Sequence, residues 1–311
     1  MRILVLGAGA IGGYYGARLL QAGAEVSFAV RPRRREILQR NGLVVRSPLG
    51  DVRQEVHTID AGQIDGTYDV VLLACKGYDL AEAIDNIAPA IGSDSVILPF
   101  LNGLGVYDVL DRRFGRARVL GGVAYIATQL DSEGAIEHLA PADVVMLGAR
   151  SDNKFAVDAA EALHALLRTS EGTRILSPDI TQALWDKWAM LATGAAMTCL
   201  LGANIAQIQA STSGRPLIER AIAEVEAIAS AQGHPIRGEG AERIRKLLLD
   251  PASQWKASMA RDMAQAARRI EHEEIVGDML RLGRRHGHDT PLLDAAYTLL
   301  QIYANQQARP S

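Results

Sequence analysis

Two cysteines, Cys75 and Cys199, are all that this chain of 311 residues contains. They are too few and too far apart for a disulfide framework or a cysteine-rich zinc site. Such usage suits a reducing compartment, so a cytoplasmic protein is expected. Aromatic residues are scarce at 5%, which removes the stacking platforms used by binders of single-stranded nucleic acid. A surplus of one charge sign is missing as well. The chain has 33 Lys and Arg against 36 Asp and Glu, a formal net charge of −3, without the basic excess typical of nucleic-acid surfaces. The start, Met1-Arg2-Ile3-Leu4-Val5-Leu6-Gly7, lacks the charged region, apolar core and cleavage site of a secretory signal. No charge occurs from Trp188 to Gly214, but the strongly apolar part, residues 189–203, is short of the roughly 18 residues of a membrane span. Thr193, Gly194, Thr198 and Gly202 dilute it further. It reads as a helix buried inside a soluble domain. The remaining composition, 48% hydrophobic and 22% charged, is that of a globular protein, and the length suggests about two domains.

The first half alternates short β-branched runs with amphipathic stretches. Residues 3–6, 26–30, 70–74, 96–98 and 119–120 read as strands, and 11–21, 33–40, 80–90 and 106–113 as helices. This alternation implies a doubly wound parallel α/β sheet with right-handed crossovers. Residues 43–45 and 135–138 are weaker strand candidates; helix 156–168 and strand 174–176 close the first domain. From Ser177 the pattern changes. Pro178 and Asp179 open a helical run with Ser177 as its cap, and 216–232, 240–249, 258–286 and 292–307 are helical in period. The expected organisation is a Rossmann-type domain over residues 1–177 and an all-helical domain over 178–311.

Gly7-Ala8-Gly9-Ala10-Ile11-Gly12 is a G-x-G-x-x-G sequence directly after a strand and at the mouth of a helix. The first glycine makes the tight turn, the second lets a pyrophosphate approach the backbone, and the third packs helix on strand. The amides of the helix start and its positive dipole end then face the phosphates. An NAD-binding chain usually ends its second strand with a carboxylate for the ribose hydroxyls, about 20 residues past the loop. Here that strand runs into Arg31-Pro32-Arg33-Arg34-Arg35, with no carboxylate before Glu36, and five arginines fall between positions 31 and 40. Guanidinium groups suit a 2′-phosphate. The expected cofactor is therefore NADP(H), with Arg31 as the contact to that phosphate. Arginines at a helix start oppose the helix dipole, so some compensation is required.

Four later motifs carry a family resemblance. Cys75-Lys76-Gly77-Tyr78-Asp79 and Leu101-Asn102-Gly103-Leu104-Gly105 each follow a strand; Leu184-Trp185-Asp186-Lys187-Trp188 opens the helical half; and Glu271-His272-Glu273-Glu274-Ile275-Val276-Gly277 lies late in the chain. In this order, over nearly the whole chain, the sequence resembles the ketopantoate reductase (2-dehydropantoate 2-reductase) family. The resemblance implies an N-terminal Rossmann domain, a C-terminal helical domain, and NADPH in the cleft between them. It further implies that Lys187 donates the proton to the substrate oxygen and that Lys76 lies near cofactor and substrate. Asn102 is implied to touch the nicotinamide ribose and the substrate, Ser258 to hold the substrate carboxylate, and Glu271 to contact the cofactor and the catalytic region. The Glu271 match needs one inserted residue after Met259. By its own chemistry, Lys76 reads either as a site residue or as a surface lysine at a strand end. Glu271 reads either as a site carboxylate or as part of a solvated face with Glu273 and Glu274.

The chemistry agrees with a lysine donor. Hydride arriving at a carbonyl carbon leaves negative charge on oxygen, which a cationic donor within hydrogen-bond reach stabilises and then protonates. One departure bears on the substrate. The family carries asparagines four and eight residues after the lysine, whereas this chain has Leu191 and Ala195. These share a helical face with Lys187, and neither forms a hydrogen bond to a hydroxyl or carboxylate. Each substrate group left without a partner costs on the order of 1–3 kcal/mol. The expected activity is NADPH-dependent reduction of a 2-oxo acid, with 2-dehydropantoate as the first candidate. A more apolar carbonyl or imine, or an NADPH sensor without turnover, stays open beside it. A homodimer is compatible with a helical second domain. His286-Gly287-His288-Asp289 reads as a capping glycine before the turn into Pro291 rather than a metal site, so no metal is expected.

Overall fold

The structure, a computed structural model, describes residues 1–308. It divides into two compact units, one comprising Met1–Leu101 and Val106–Thr181, the other Asn102–Gly105 and the chain from Gln182 onward. The division falls just past position 177 because Ile180 packs directly on Gly121 and Gly148, whose missing side chains make room for it.

In the first unit the order is β1 (Arg2–Leu6), α1 (Ala10–Gln21), β2 (Glu25–Val30), α2 (Pro32–Asn41), β3 (Leu43–Arg46), β4 (Val52–Gln54), β5 (His57–Asp60), β6 (Val70–Leu73), α3 (Leu80–Ile87), β7 (Val96–Pro99), α4 (Gly105–Phe114), β8 (Gly121–Leu130), β9 (Ile136–Gly148), α5 (Lys154–Leu167) and β10 (Thr173–Leu176). Strands β5-β2-β1-β6-β7 form one sheet, every neighbouring pair parallel. Its central strands are unbroken apolar runs: Ile3, Leu4, Val5 and Leu6 in β1 and Val70, Val71, Leu72 and Leu73 in β6 are all buried. A parallel sheet covered on both faces by crossover helices calls for runs of this kind. The expected α/β class with a helical second half is therefore the observed one.

A second sheet adds to that expectation. It runs β10-β9-β3-β4, with β8 pairing antiparallel to β9. The strand read at 119–120 starts instead at Gly121, Val119 making only an isolated bridge to Ile97. The weak candidate at 135–138 extends to Gly148. Between β8 and β9 the Asp131 carboxylate accepts the amides of Glu133 and Ala135 at 2.9 and 2.8 Å, a side-chain turn that closes the hairpin. Helix α1 lies between the two sheets, and a buried polar cluster ties it to the second. Tyr14 and Tyr15 donate their hydroxyls to Asp143 at 3.0 and 2.9 Å, and Arg174 donates to the same carboxylate at 2.6 Å. Burial pushes both tyrosine pKa values up, so the hydroxyls remain donors.

The second unit is helical: α6 (Ile180–Leu200), α7 (Ile205–Gln209), α8 (Gly214–Ala231), α9 (Gly238–Leu248), α10 (Ser258–Ala264), α11 (Asp278–Arg285) and α12 (Pro291–Ala308). Two expectations need correction. Helix α6 does not begin at Pro178, because Ser177 still donates its amide to Leu147 at 2.8 Å and prolongs the β10 pairing. The single helix read over 258–286 is broken. After α10 the chain leaves the helix at Ala266, φ +53°, and returns through a π-helical turn at Glu273–Gly277. The intervening Gln265-Ala266-Ala267-Arg268-Arg269 favours helix by propensity, but tertiary contacts override it. Ile270 and Glu271 are both buried, and Tyr303 donates its hydroxyl to the Ala267 carbonyl at 2.7 Å. Gly287, φ +69°, closes α11 with His288 donating to the Gly283 carbonyl, the cap read from the sequence. Among the described residues no helix is long and apolar enough to cross a membrane.

Asp143 and Arg174 have side chains 0% and 1% exposed. Replacing Asp143 by Ala strands a buried guanidinium and two tyrosine hydroxyls, and is expected to destabilise the first unit by about 3–5 kcal/mol. Denaturant unfolding followed by far-UV circular dichroism measures this; a loss below about 1 kcal/mol shows that the cluster does not hold α1.

Candidate active site

Gly7 ends β1 at φ +95°, a conformation strained for any residue with a side chain. A Cβ on Gly12 would stand 2.0 Å from the Gly7 carbonyl oxygen, so only glycine lets α1 close onto the strand. Gly9, the residue before α1, differs: a Cβ there meets nothing within 4 Å. It faces open space, which suits the approach of a pyrophosphate to the backbone. The first turn of α1 carries no acidic residue and Gly9 offers no capping side chain. Its leading amides, including those of Ala10, Ile11 and Gly12, are thus left for an anionic ligand. A cavity of about 300 Å³ opens at this point, lined by Gly7, Ala8, Gly9, Val30, Arg31 and Arg34 and, across from them, by Cys75, Asp79, Glu82 and Asn86.

Arg31 precedes α2 and is exposed, with its Nη2 on Glu82 at 2.7 Å and on Asp79 at 3.2 Å. These carboxylates supply the compensation that arginines at a helix start require. Arg34 was not singled out by the sequence reading, yet it braces the glycine loop, its Nε donating to the Ala8 carbonyl at 2.7 Å and its Nη1 to Gly134 at 2.5 Å. Its place three residues after Arg31 on α2, one helical turn on, was the available signal. Burial lowers the Arg34 pKa without threatening its charge. Lys76 is exposed, at the start of the 3-10 turn after β6, and does not line the cavity.

The second unit assembles a different group. Gly103, φ +81°, brings the Asn102-Gly103-Leu104-Gly105 turn so close to the π turn that a Cβ would stand 2.4 Å from the Glu274 carbonyl oxygen. The π turn is also tied to α6, Trp188 donating its indole Nε1 to the Ile275 carbonyl at 3.0 Å. A π turn frees a carbonyl from the regular ladder in this way. Lys187, next to that tryptophan, is half-buried. Burial lowers its pKa to about 8, against the opposing pull of the Glu271 carboxylate. Glu271 is 4% exposed and lies in the irregular segment before the π turn, not on a long helix. The extra residue after Met259 therefore falls where no helical phase links Ser258 to Glu271. Glu273 stays partly solvated, its side chain 42% exposed, while accepting from Tyr297 and Arg281 at 2.6 and 2.7 Å.

On α6, Lys187, Leu191, Gly194 and Thr198 follow one helical face. Ala195 borders it and is 2% exposed. Thr198 accepts the Ala257 amide at 3.3 Å, fixing the residue that leads into α10 and half-buried Ser258. The Trp255 ring lies on Gly194, where a Cβ would stand 2.4 Å from the ring. That tryptophan escaped the sequence reading because it is far from Lys187 in the chain.

Residues 3–151 match the family model described as "Ketopantoate reductase PanE/ApbA" and residues 179–304 that described as "Ketopantoate reductase PanE/ApbA C terminal". The chain is similar to "Uncharacterized oxidoreductase YkpB" of Bacillus subtilis (strain 168), 32% identical over 306 residues, covering 97% of this chain and 99% of the relative. It is similar to the solved 2-dehydropantoate 2-reductase from Geobacter metallireducens GS-15, 30% identical with a TM-score of 0.88, over 97% of this chain and 99% of that one. It shares its fold with D-mandelate dehydrogenase, solved with NADH and anilino(oxo)acetate, at a TM-score of 0.88 and 22% identity over 100% of both chains.

With the lysine side chains labelled at Cε, the NMR titration of Lys187 is expected to have a midpoint near 8. The Glu271→Gln variant should lower that midpoint further, because the carboxylate favours the charged form. A midpoint at the usual lysine value of about 10.4 overturns the reading of a desolvated ammonium.

Proposed function

The chain belongs to the ketopantoate reductase family of nicotinamide-dependent oxidoreductases, and from that premise we propose that it reduces a 2-oxo acid with NADPH, 2-dehydropantoate being the first substrate to assign. The observation that carries this reading is half-buried Lys187, whose pKa burial lowers to about 8 against the opposing charge of buried Glu271. In it, the amides at the start of α1 hold the pyrophosphate, with Gly7, Gly9 and Gly12 as the cradle and Ala8, Ala10 and Ile11 presenting backbone. Arg31 receives the 2′-phosphate, and Lys76, on the turn after β6 and outside the lining of that cavity, serves the nicotinamide and substrate side. A bound reduced nicotinamide supplies the hydride. Lys187 gives its proton to the carbonyl oxygen as negative charge develops there. Glu271 opposes premature loss of that proton and fixes the ammonium. Asn102 orients the ribose and the substrate, and Ser258 holds the substrate carboxylate. The site works in a reducing cytoplasm, which suits two cysteines outside any disulfide. A homodimer through the helical unit belongs to this reading, with exposed Ile302 on α12 as its starting point.

A second reading has its own support. Leu191, Ala195 and the Trp255 ring give the lysine-bearing side of α6 an apolar wall. That favours a carbonyl or imine substrate whose side chain carries no hydroxyl, and the D-mandelate dehydrogenase that shares this fold was solved with an anilino-substituted oxoacid. A sensor without turnover has no need of a proton donor, so Lys187 speaks against it.

One assay separates the three. NADPH oxidation is followed across a panel of aliphatic, hydroxylated and aromatic 2-oxo acids, with Lys187→Ala as control. The control is expected to lose about 10²–10⁴-fold in kcat on the true substrate. The rate should fall as pH rises through about 8, since Lys187 donates only below its pKa. Turnover of 2-dehydropantoate supports the first reading; turnover confined to apolar substrates supports the second. In that event Leu191→Asn with Ala195→Asn is expected to move preference toward 2-dehydropantoate by about tenfold or more. Tight NADPH binding with no turnover leaves only the sensor. Arg31→Ala is expected to weaken NADPH far more than NADH in equilibrium binding; equal weakening refutes its 2′-phosphate role.

A further inference from the structure

The cavity beside the glycine loop holds charges of both signs. Arg31 and Arg34 line one side, Asp79 and Glu82 the other. Both carboxylates converge on one nitrogen of Arg31, the Glu82 oxygen at 2.7 Å and the Asp79 oxygen at 3.2 Å. The Asp79 side chain is 15% exposed, those of Glu82 and Arg31 60% each. The outer half of the clamp is therefore open to solvent while the inner half is fixed. Arg34 has two nitrogens committed to the Ala8 and Gly134 carbonyls and only its buried Nη2 without a partner, so the solvent-exposed guanidinium of the cavity is that of Arg31. A 2′-phosphate seeking Arg31 meets a guanidinium already paired, with two negative charges beside it. A ribose bearing a free 2′-hydroxyl meets no such opposition, because a carboxylate accepts its hydrogen bond, as the strand-end carboxylate does in NAD-binding folds.

We propose that Glu82, backed by Asp79, sets the dinucleotide discrimination of this chain by holding the Arg31 guanidinium, an inference resting on the reading that this cavity receives the adenosine end of the cofactor. Arg31 gives the chain access to NADPH, and Glu82 limits how far it is preferred over NADH. Discrimination thus depends on a residue of α3, well separated in sequence from the glycine loop and from the end of β2.

The test is equilibrium binding of NADPH and NADH, by nicotinamide fluorescence or calorimetry, to the full chain and to Glu82→Gln, Arg31→Ala and the double variant. Glu82→Gln keeps the shape and removes the charge. It is expected to tighten NADPH about three- to tenfold, to leave NADH unchanged or weaker, and to lose its gain once Arg31 is Ala. An unchanged NADPH-to-NADH ratio in Glu82→Gln overturns the inference, while the Arg31 reading survives if Arg31→Ala still weakens NADPH selectively. A gain that persists without Arg31 reflects general repulsion and also overturns the clamp. If neither substitution affects either dinucleotide, the placement of the adenosine end in this cavity falls with it.

Discussion

The close approach of α1 to the end of β1, which glycine alone permits at positions 7 and 12, governs the first unit. It leaves the leading amides of the helix bare, and it buries Tyr14 and Tyr15 deeply enough that their hydroxyls need partners inside the protein. Asp143 is that partner, and Arg174 balances its charge. The second sheet thereby becomes the anchor of the ligand-facing helix. An anion-binding end and a buried polar anchor are two results of one contact.

In the second unit the governing constraint is an ammonium partly withdrawn from water. Desolvation alone favours loss of its proton; the neighbouring carboxylate of Glu271 resists that loss. The balance leaves the ammonium with a pKa of about 8. Holding it there requires a fixed environment, and the π turn provides part of it. It takes the Trp188 indole on one side and the Gly103 turn on the other.

The sequence made the parallel sheet, the glycine loop and the helical half legible because each follows a simple period or a stereochemical need of glycine. The β8–β9 hairpin was harder to see. Gly121, Gly122, Pro141 and several alanines blur its alternation, and its register shifts between Ile126 and Thr128. The break after α10 was invisible for a different reason: Gln265–Arg269 has strong helix formers, and what stops the helix is burial of Ile270 and Glu271, a tertiary fact. Among candidate site residues, Lys187 and Arg31 stood out by type and position. Arg34, Asp79, Glu82 and Trp255 act through partners distant in the chain, and no local pattern marks such pairings.

The π turn also bears on how this chain tolerates changes in length. A helix with one surplus residue per turn is an insertion that has been retained. Deleting any one of its five residues restores a regular ladder and rotates everything before it by about 100°. Glu271 lies just before it and would be carried off its bearing. The number of residues in this turn, and not only their identity, therefore sets the bearing of Glu271.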